Sequence, residues 1–416
     1  MTDSSDQSDL HDVVVIGGGP TGLAAAIALA EAGCRTALIA RRAPYGDNRT
    51  TALLGGSVDF LERLDVWRRC QDKAAALKEM RLVDDTGRLI RAPEVRFCAQ
   101  EIGRDAFGYN IENRALMAAL EARAAEHTAL RRLDDEAETI MTEPECAVVR
   151  TRQGQSLSAH LIVGADGRQS LCREAAGIEV RRRVLGQAAL TLNVGHSRPH
   201  HNISTEFHTT HGPVVFVPLP GDRSSVVWVT TPNEAERLMA LNDDDLSEAT
   251  ERRAHSILGR MRVEPGRHLF PLAIEQPRQV AKNRIVLVGE AAHVLPPIGA
   301  QGLNMGLRDA ADIADIVRDA LSSGETRGST LIDPGSTQPD PGSPQALSRF
   351  ESARRSDIAS RTFVIDIANR SLLSDLLPMQ SARALGLHLI GAVGPLRRLA
   401  MHEGLAPSWR PRQRIN

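Results

Sequence analysis

A glycine-rich turn near the start of the chain has the residue types and spacing that hold a pyrophosphate. It reads Gly17-Gly18-Gly19-Pro20-Thr21-Gly22, between an apolar run that ends at Ile16 and an Ala/Leu-rich stretch over residues 21–32. In such a G-x-G-x-x-G turn the first glycine permits a tight bend, the second lets the backbone approach the phosphates, and the third allows close helix–strand packing. The N-terminus of the following helix presents free N–H groups to the phosphates. A second apolar run at 35–40 completes a βαβ unit, so the sequence predicts a dinucleotide-binding site.

The end of the second strand lacks the acid that commonly binds ribose hydroxyls. Such a carboxylate is expected about 20 residues after the glycines, and Ala40 and Arg41 occupy that region here. The usual ribose contact is therefore in question, and Arg41 is a candidate for binding the cofactor. The absence of the ribose-binding acid does not by itself favour NADP as the bound dinucleotide.

Two further segments place a carboxylate directly after a buried strand. In residues 286–304, Val286-Leu287-Val288 is followed by Gly289 and Glu290, a proline-rich loop and the opening of a helix. The carboxylate can bond polyol hydroxyls, and the helix N-terminus can stabilise negative charge on a ring edge. In residues 162–168, an apolar strand ends in Ala165-Asp166-Gly167-Arg168.

These three segments, in this order, resemble the group A flavoprotein monooxygenases, the aromatic hydroxylase family that includes 4-hydroxybenzoate hydroxylase. The resemblance implies FAD as the cofactor and places Glu290, where the family has an aspartate, at the flavin ribityl chain. It also implies that Pro297 and the turn Gly302-Leu303-Asn304 border the isoalloxazine ring. In the same way, Asp166-Gly167 would support FAD and, in that family, the pyridine nucleotide.

Other segments are similar to the ubiquinone-biosynthesis hydroxylases within that family. They are residues 47–53, 64–67, 109–114, 302–309 and 373–378. This resemblance implies that Arg49 and Arg114 help to hold FAD. The complete set of predicted cofactor-binding residues is Gly17, Gly19, Pro20, Gly22, Arg41, Arg49, Arg114, Asp166, Gly167, Gly289, Glu290, Pro297, Gly299, Gly302, Leu303 and Asn304. No side chain is predicted to be catalytic.

The resemblance implies an FAD-dependent monooxygenase that uses NAD(P)H and O₂, through a flavin C4a-hydroperoxide, to hydroxylate a polyprenylated phenol in ubiquinone biosynthesis. The cofactor carries the difficult chemistry in such enzymes, so no catalytic triad is required. The chain shows no second Rossmann unit for the nicotinamide, in line with the family's transient use of NAD(P)H. Two alternatives stay open: hydroxylation of a different phenol, and a non-catalytic FAD-binding subunit of a biosynthetic complex.

The order of apolar runs predicts an α/β fold: a Rossmann-like FAD-binding domain, a second β-sheet substrate domain and C-terminal helices, as in 4-hydroxybenzoate hydroxylase. The FAD-binding domain is expected at 1–75, 97–180 and 276–321, and the substrate domain at 76–96 and 181–275. Residues 322–345, rich in Pro, Gly and Ser, are predicted to be a flexible linker before a helical segment at 346–416. Individual elements are expected as a hairpin at 81–90 and helices at 57–67, 111–127, 346–377 and 381–401.

Composition excludes several classes of protein. Lys plus Arg is 50 and Asp plus Glu is 52, so the chain has no excess of positive charge that would favour binding to nucleic acid. The five cysteines are widely spaced without a C-x-x-C, which favours reduced thiols in a cytosol over disulfides or zinc. The N-terminus is polar without the pattern of a signal peptide, and no uncharged run reaches the ~18 residues of a membrane span. We therefore expect a cytoplasmic protein.

Two segments can each be interpreted as having either a structural or a functional role. His196, His200, His201, His208 and His211 suggest a metal site, but no carboxylate or cysteine set accompanies them, so side chains of a sheet are favoured. The helix predicted at 381–401 combines leucines with arginines; core packing is favoured over a contact with the inner-membrane surface. That contact stays a hypothesis because a polyprenyl substrate resides in lipid.

Overall fold

A computed structural model describes residues 10–42, 48–88, 91–297, 299–325, 340–374 and 377–405. The strands are β1 Leu10–Ile16, β2 Thr36–Ile39, β3 Thr50–Leu54, β4 Ala74–Ala76, β5 Glu79–Asp84, β6 Val95–Cys98, β7 Gly108–Glu112, β8 Leu130–Leu133, β9 Ala137–Thr142, β10 Ala147–Thr151, β11 Ser156–Gly164, β12 Val180–His196, β13 Ile203–Thr209, β14 Gly212–Leu219, β15 Arg223–Thr230, β16 Met261–Val263, β17 His268–Pro277, β18 Ala281–Lys282 and β19 Ile285–Leu287. The helices are α1 Pro20–Glu31, α2 Gly55–Arg63, α3 Asn113–Glu126, α4 Leu171–Ala175, α5 Pro232–Ala240, α6 Asp243–Arg253, α7 Gln301–Glu325, α8 Pro344–Leu373, α9 Leu377–Ala392 and α10 Gly394–Leu405.

The first sheet is parallel at its centre, and its strands run in the order β8-β2-β1-β11-β19. β18 extends this order antiparallel to β19, while β10 and β9 branch from β11. β1 lies in the middle and ends in four buried residues, Val13 to Ile16. Such a continuous apolar run is typical of a strand covered on both faces. Helices α1, α3 and α7 pack together beside it, and their apolar residues join the same core.

The second sheet is mainly antiparallel and contains β16, β12, β15, β14, β13, β5 and β6 in that order, with β17 paired to β12. Its strands span 79–98 and 180–277, close to the limits predicted for the substrate domain. The alternating apolar residues at 214–219 and 225–230 form β14 and β15. Two helices in this region, α5 and α6, were missed from the sequence. They pack Leu238 and Leu246 into the core of this sheet.

A third, three-stranded sheet, β3-β7-β4, lies between the two larger ones. Asn110 of β7 is 1% exposed, and its amide donates to Pro218 O at 2.9 Å and to Ser225 Oγ at 3.1 Å. Asn193 of β12 donates to Asn48 O at 2.9 Å, beside the start of β3. These buried polar contacts hold the second sheet against the strands that border the site.

Several predicted element boundaries were wrong. The hairpin expected at 81–90 exists, but its return strand is β6, because Asp84 closes a local turn by accepting from Thr86 N at 3.1 Å. The helix expected from residue 111 begins at Asn113, since 111 and 112 belong to β7. α2 ends at Arg63, and a 3₁₀ turn, Trp67–Arg69, follows it.

The C-terminal helices divide differently from the prediction. α8 ends at Leu373, and Pro378 opens α9 instead of stopping α8, which suits proline because the first helical turn needs no N–H donor. The helix expected at 381–401 is two helices, which meet between Ala392 and Gly394. The predicted linker overlaps both neighbouring helices, because α7 continues to Glu325 and α8 starts at Pro344. The rest of that prediction, residues 326–339, lies outside the described residues, as do residues 89 and 90 of the predicted hairpin and 406–416 of the predicted C-terminal helical segment. Residues 47, 298, 375 and 376 of the motif segments named above lie outside them too.

Candidate functional site

Three of the predicted motifs meet at one edge of the first sheet. They follow β1, β11 and β19, which are neighbouring parallel strands and therefore end at the same edge. Ala165 N donates to Ile16 O at 2.8 Å, and Val288 N donates to Gly164 O at 2.9 Å. The chain leaves β1 towards β2 on one side, while β11 lies on the other, so this edge is the topological switch point where α/β sheets bind ligands.

Two glycines of the first motif are required by the protein itself. Gly17 has φ +113°, and a Cβ there would lie 2.2 Å from Ala165 O. A Cβ on Gly22 would lie 2.0 Å from Gly17 O, so any side chain would push α1 away from the turn. These contacts account for Gly17 and Gly22 without a ligand.

Gly19 is different, because nothing in the described protein demands a glycine there. Its φ is −71° in extended backbone, and a Cβ would meet no described atom within 4 Å. It is the N-cap of α1, where no described side chain caps the first N–H groups and Pro20 fills the first position. An open backbone position before an uncapped helix N-terminus fits the approach of a pyrophosphate.

The D-G segment offers a buried acceptor. Asp166 Oδ2 accepts from Cys172 N at 3.0 Å, which fixes the carboxylate at the end of β11. Its Oδ1 is buried and has no hydrogen-bond partner among the described residues. Since an unpaired buried acceptor is costly, this oxygen fits a donor supplied by a ligand such as a polyol hydroxyl. Gly167 follows with φ +79°, which turns the chain away from the edge.

Glu290 stands on the 3₁₀ turn Gly289–Ala291 that follows β19. Its side chain is 59% exposed, and Oε2 lies 3.3 Å from Arg168 Nε of the D-G segment. The carboxylate is therefore available at the same edge as Gly19 and Asp166. Gly289, with φ +61°, makes the turn that directs Glu290 there.

We expect Glu290→Ala to weaken FAD binding without destabilising the protein. The side chain is exposed and makes one long ion pair, so its own contribution to folding is within about 0.5 kcal/mol. Loss of a charge-assisted hydrogen bond to the ribityl chain should lower FAD affinity about tenfold. Equilibrium FAD titration with thermal unfolding of the apoprotein measures both effects. Glu248→Ala, an exposed acid on α6, is the control, and an unchanged FAD affinity for Glu290→Ala would remove this role.

Asp309 of α7 supports the Glu290 turn from behind. Its Oδ2 accepts from Gly289 N at 2.9 Å and from His293 Nε2 at 2.7 Å, and the His293 and Asp309 side chains are each 1% exposed. Burial would raise the pKa of Asp309, but Arg354 and His293 together hold it below its usual value. His293 thus makes a buried structural hydrogen bond behind the Glu290 turn.

Arg354 and Arg361 of α8 connect this helix to both ends of the flavin loop, which we define as residues 289–301. Arg354 is fully buried and donates to Asp309 Oδ1 at 2.5 Å and to Asp357 Oδ2 at 2.8 Å. Arg361 donates to Asp357 Oδ1 at 3.0 Å and to Gln301 Oε1 at 2.6 Å, and Gln301 Nε2 in turn donates to Gly299 O at 2.9 Å. Sequence reasoning missed these residues, although Arg354, Asp357 and Arg361 recur at helical spacing.

Asn304 joins the end of the flavin loop to β3. Its Oδ1 accepts from Leu54 N at 2.8 Å, while Nδ2 donates to Ala52 O at 2.7 Å and to Ala300 O at 2.6 Å. The Asn304 side chain thus makes its hydrogen bonds within the protein. A ligand at this end of the flavin loop would therefore meet backbone groups. Gly299 has φ +67°, and the neighbouring Gly302 is exposed with open space around it.

The predicted arginines lie on separate rims of the site. Arg49 precedes β3, where its carbonyl accepts from Asn113 N at 2.9 Å, so Arg49 and Arg114 are close along the backbone. Arg114 pairs with Glu112 at 2.7 Å. Arg41 follows β2 and pairs with Glu136 at 3.0 Å, at the side of the sheet where the missing ribose acid was expected.

The rings of His196 and His200 pack edge to face with their centroids 5.7 Å apart, but the histidine side chains are bonded to separate protein groups. His196 Nε2 lies 3.1 Å from Ser224 Oγ, His200 Nε2 lies 2.9 Å from Leu219 O, and His208 pairs with Glu206. Burial lowers the pKa of His196. Across the described part of the chain, no group of three or more His, Cys, Asp or Glu side chains could hold a metal ion.

Comparisons with known proteins identify the family of this chain. The family model described as FAD binding domain matches residues 11–340. The chain is 32% identical to ubiquinone hydroxylase UbiL of Rhodospirillum rubrum, over 97% of this chain and 91% of that protein. It is 28% identical to the 3-demethoxyubiquinol 3-hydroxylase of Escherichia coli, over 95% of this chain and 98% of that one.

Solved structures show the same fold. The p-nitrophenol 4-monooxygenase PnpA from Pseudomonas putida superposes with a TM-score of 0.75 at 18% identity, over 97% of this chain and 99% of that one. A single-residue variant of HpxO from Klebsiella pneumoniae, in complex with FAD, superposes with a TM-score of 0.70 at 17% identity, over 95% and 98%. The predicted fold class is thereby confirmed.

Proposed function

Because the chain belongs to the FAD-binding domain family of monooxygenases, among the ubiquinone-biosynthesis hydroxylases, we propose that it hydroxylates the aromatic ring of a polyprenylated phenol. It is an FAD-dependent monooxygenase. The observation that carries the assignment of the site is the meeting of Gly19, the free Asp166 oxygen and Glu290 at one sheet edge.

Bound FAD supplies the redox chemistry by which NAD(P)H and O₂ hydroxylate a phenol. The residues of this chain bind and orient it. Gly19 and the α1 N-terminus hold the pyrophosphate, and Asp166 and Glu290 hold the polyol. Backbone groups of Pro297, Gly299 and Leu303 would border the ring system, where the N-terminus of α7 would stabilise negative charge.

The relatives support the proposed substrate class. They are named ubiquinone hydroxylase and 3-demethoxyubiquinol 3-hydroxylase, and a quinol precursor with a polyprenyl chain has the electron-rich ring that this reaction requires. We assign the FAD-binding domain to 1–75, 97–180 and 276–321, and the substrate domain to 76–96 and 181–275, whose sheet backs the ring.

The test is an absorption spectrum of the purified protein followed by anaerobic NAD(P)H addition. Flavin bands near ~450 nm that bleach faster with a prenylated phenol are expected of this reaction class. A simple phenol without a prenyl tail is the control that separates the proposed substrate from another phenol. Flavin that binds but is never reduced would instead favour a non-catalytic subunit of a biosynthetic complex.

We further propose a cytoplasmic protein that contacts the inner-membrane surface through α9 and α10. No helix in the described ranges is long and apolar enough to cross a bilayer. These two helices nevertheless leave large apolar side chains 37–59% exposed: Leu385, Leu389, Val393, Leu396 and Leu399. Their other sides pack on the protein, for example through Met401 against Phe107. Apolar surface gathered on adjoining helices indicates an interaction site.

Charge distinguishes a membrane from other occupants of this surface. Residues 377–416 contain six arginines and one acid, Glu403, although the whole chain has a net charge of −2. Of the arginines in the described part of this segment, Arg383 and Arg397 pair with Asp84 and Glu101, while Arg398 is exposed near Leu396 and Leu399. A basic segment that carries exposed leucines matches the surface of an anionic bilayer. A lipid-resident substrate would reach the active site from there.

We expect Leu389→Glu with Leu396→Glu to reduce binding to phosphatidylglycerol vesicles at least tenfold in a flotation assay. Each lost leucine removes about 1.5–3 kcal/mol of transfer free energy. Met141→Glu, at a methionine that is 59% exposed on β9, is the matched control and should float as the wild type does. Equal flotation of all three proteins would contradict the proposal. Flotation that appears only with other biosynthetic proteins would assign the surface to a complex instead.

A further inference from the structure

A cavity of about 370 Å³ lies between β12, the end of β17 and α8, apart from the glycine turn. It is lined by three arginines from three elements or their connections: Arg181 on β12, Arg278 after β17 and Arg355 on α8. Its size is within the ~300–1,000 Å³ of typical ligand pockets. The structure therefore places three basic side chains around a surface cavity that the proposed flavin site does not use.

Two of these charges have no partner among the described residues. Neither the Arg181 nor the Arg355 side chain forms a hydrogen bond or ion pair there. Arg278 pairs at 3.0 Å with Glu179, on a rim where both side chains are more than 60% exposed. The one acid in the lining, Glu351, directs Oε2 to the backbone N–H groups of Val280 at 2.6 Å and Ala281 at 3.2 Å.

The rest of the lining suits a ligand that is partly apolar. Gln276 and Gln279 supply amide donors and acceptors, and the buried side chains of Val280, Ile358 and Ala292 form an apolar floor. Arginine is the side chain best matched to phosphate oxygens because its planar fork can bond two of them at once. A ligand that carries phosphate oxygens, groups that can bond amides and a partly apolar body matches a nucleotide.

The cavity also adjoins the flavin loop. Ala292 belongs to that loop, next to His293, and Arg355 follows the buried Arg354 that supports Asp309. A ligand in the cavity would thus contact the loop that orients the flavin. The described chain has one Rossmann-type sheet, so a second nucleotide needs a site of another kind.

We propose that this cavity binds the phosphate-bearing adenosine half of the nicotinamide dinucleotide that reduces the flavin. The inference rests on the proposed function, in which NAD(P)H is the reductant. It assigns Arg181, Arg278 and Arg355 to the phosphates of that dinucleotide. These are binding residues for the co-substrate.

The experiment is a calorimetric titration of the FAD-loaded protein with NADP⁺ and, separately, NAD⁺. Arg181→Gln and Arg355→Gln should each weaken binding of the preferred dinucleotide about tenfold, as expected for one charge-assisted hydrogen bond. The double variant should weaken it more. Arg349→Gln, on the same helix but outside the cavity and 52% exposed, is the matched control and should bind as the wild type does. The FAD spectrum and thermal unfolding of each variant establish that the fold is retained.

Inorganic pyrophosphate and phosphatidylglycerol vesicles distinguish the source of the phosphate. Pyrophosphate should compete with the dinucleotide in the wild type and lose this effect in Arg355→Gln. Dinucleotide affinity that is unchanged in the double variant would overturn the inference while leaving the proposed function intact. Variants that lose vesicle binding but keep dinucleotide affinity would also overturn it, because the arginines would then serve a lipid headgroup. A wild-type protein that binds no dinucleotide and whose flavin is not reduced would remove the proposed function as well.

Discussion

Gly19→Val is expected to abolish FAD retention while leaving the apoprotein nearly as stable as the wild type. The extended backbone at Gly19 accepts a β-branched residue, and no described atom lies within 4 Å of the position of its Cβ. The loss of a glycine N-cap should cost no more than about 1 kcal/mol. In the holoprotein, however, the side chain would occupy the space where the pyrophosphate meets the backbone. Displaced phosphates lose several charge-assisted hydrogen bonds, so we expect the Kd for FAD to rise at least about 100-fold.

Gly22→Val separates a steric effect within the protein from an effect on the ligand. A Cβ there would lie 2.0 Å from Gly17 O, so this variant should lose both stability and flavin. Gly56→Val, at a helical glycine with open space around it, controls for the substitution itself. The measurements are FAD titration by fluorescence quenching and thermal unfolding of the apoproteins. A yellow Gly19→Val protein with wild-type affinity would mean that the phosphates lie elsewhere.

Arg354→Met is expected to destabilise the protein by about 3–5 kcal/mol, the cost of leaving buried charges without their partner. Arg354 is fully buried, and its removal would strip Asp309 and Asp357 of the guanidinium that they share. Burial opposes the charge of Arg354, yet these acids and Asp312 keep its pKa above the ordinary value, so it is a permanent cation. Since Asp309 also accepts from Gly289 N, the flavin loop should loosen and FAD affinity should fall.

Arg349→Met, at an arginine one and a half turns earlier on α8, is the control for Arg354→Met. Its pair with Asp319 is more than half exposed, and such pairs contribute little. Thermal unfolding should be measured on apoproteins, because bound FAD would itself stabilise the native state. An Arg354→Met apoprotein that melts with the wild type would show that α7 and α8 hold the loop without this cluster.

The predictions made from sequence held where the constraints are local. The turn after β1 was predicted because its conformation depends on residues five or fewer positions apart, and the structure has the strand, turn and helix where the pattern put them. The parallel strand before Gly289 was equally visible as an apolar run. Even α5 carried a local cap, since Thr231 Oγ1 accepts from Glu234 N at 3.4 Å, the beginning of a capping box. That cap was overlooked.

Three-dimensional packing decided the rest. Residues 354 and 309 are 45 positions apart, so no periodicity relates Arg354 to the loop that it supports. The return strand of the hairpin starts later than predicted. Asp84 Oδ2 accepts from Ala92 N, so a longer connection follows β5 before β6 pairs with it. The sequence did not decide whether Pro378 follows one helix or begins the next, because proline is compatible with both the residues after a helix and the first helical turn.

The sequence by itself determined the order of the three motifs and, through their resemblance to a known family, the cofactor class and the fold, because the motifs are short segments whose geometry is set by neighbouring residues. Only the tertiary structure showed what excludes a side chain at each glycine of the turn. A Cβ at Gly17 or Gly22 would clash with Ala165 O or Gly17 O, while Gly19 faces open space. The tertiary structure also gathered Arg181 and Arg355 around one cavity, because β12 and α8 meet there through packing that no local pattern encodes.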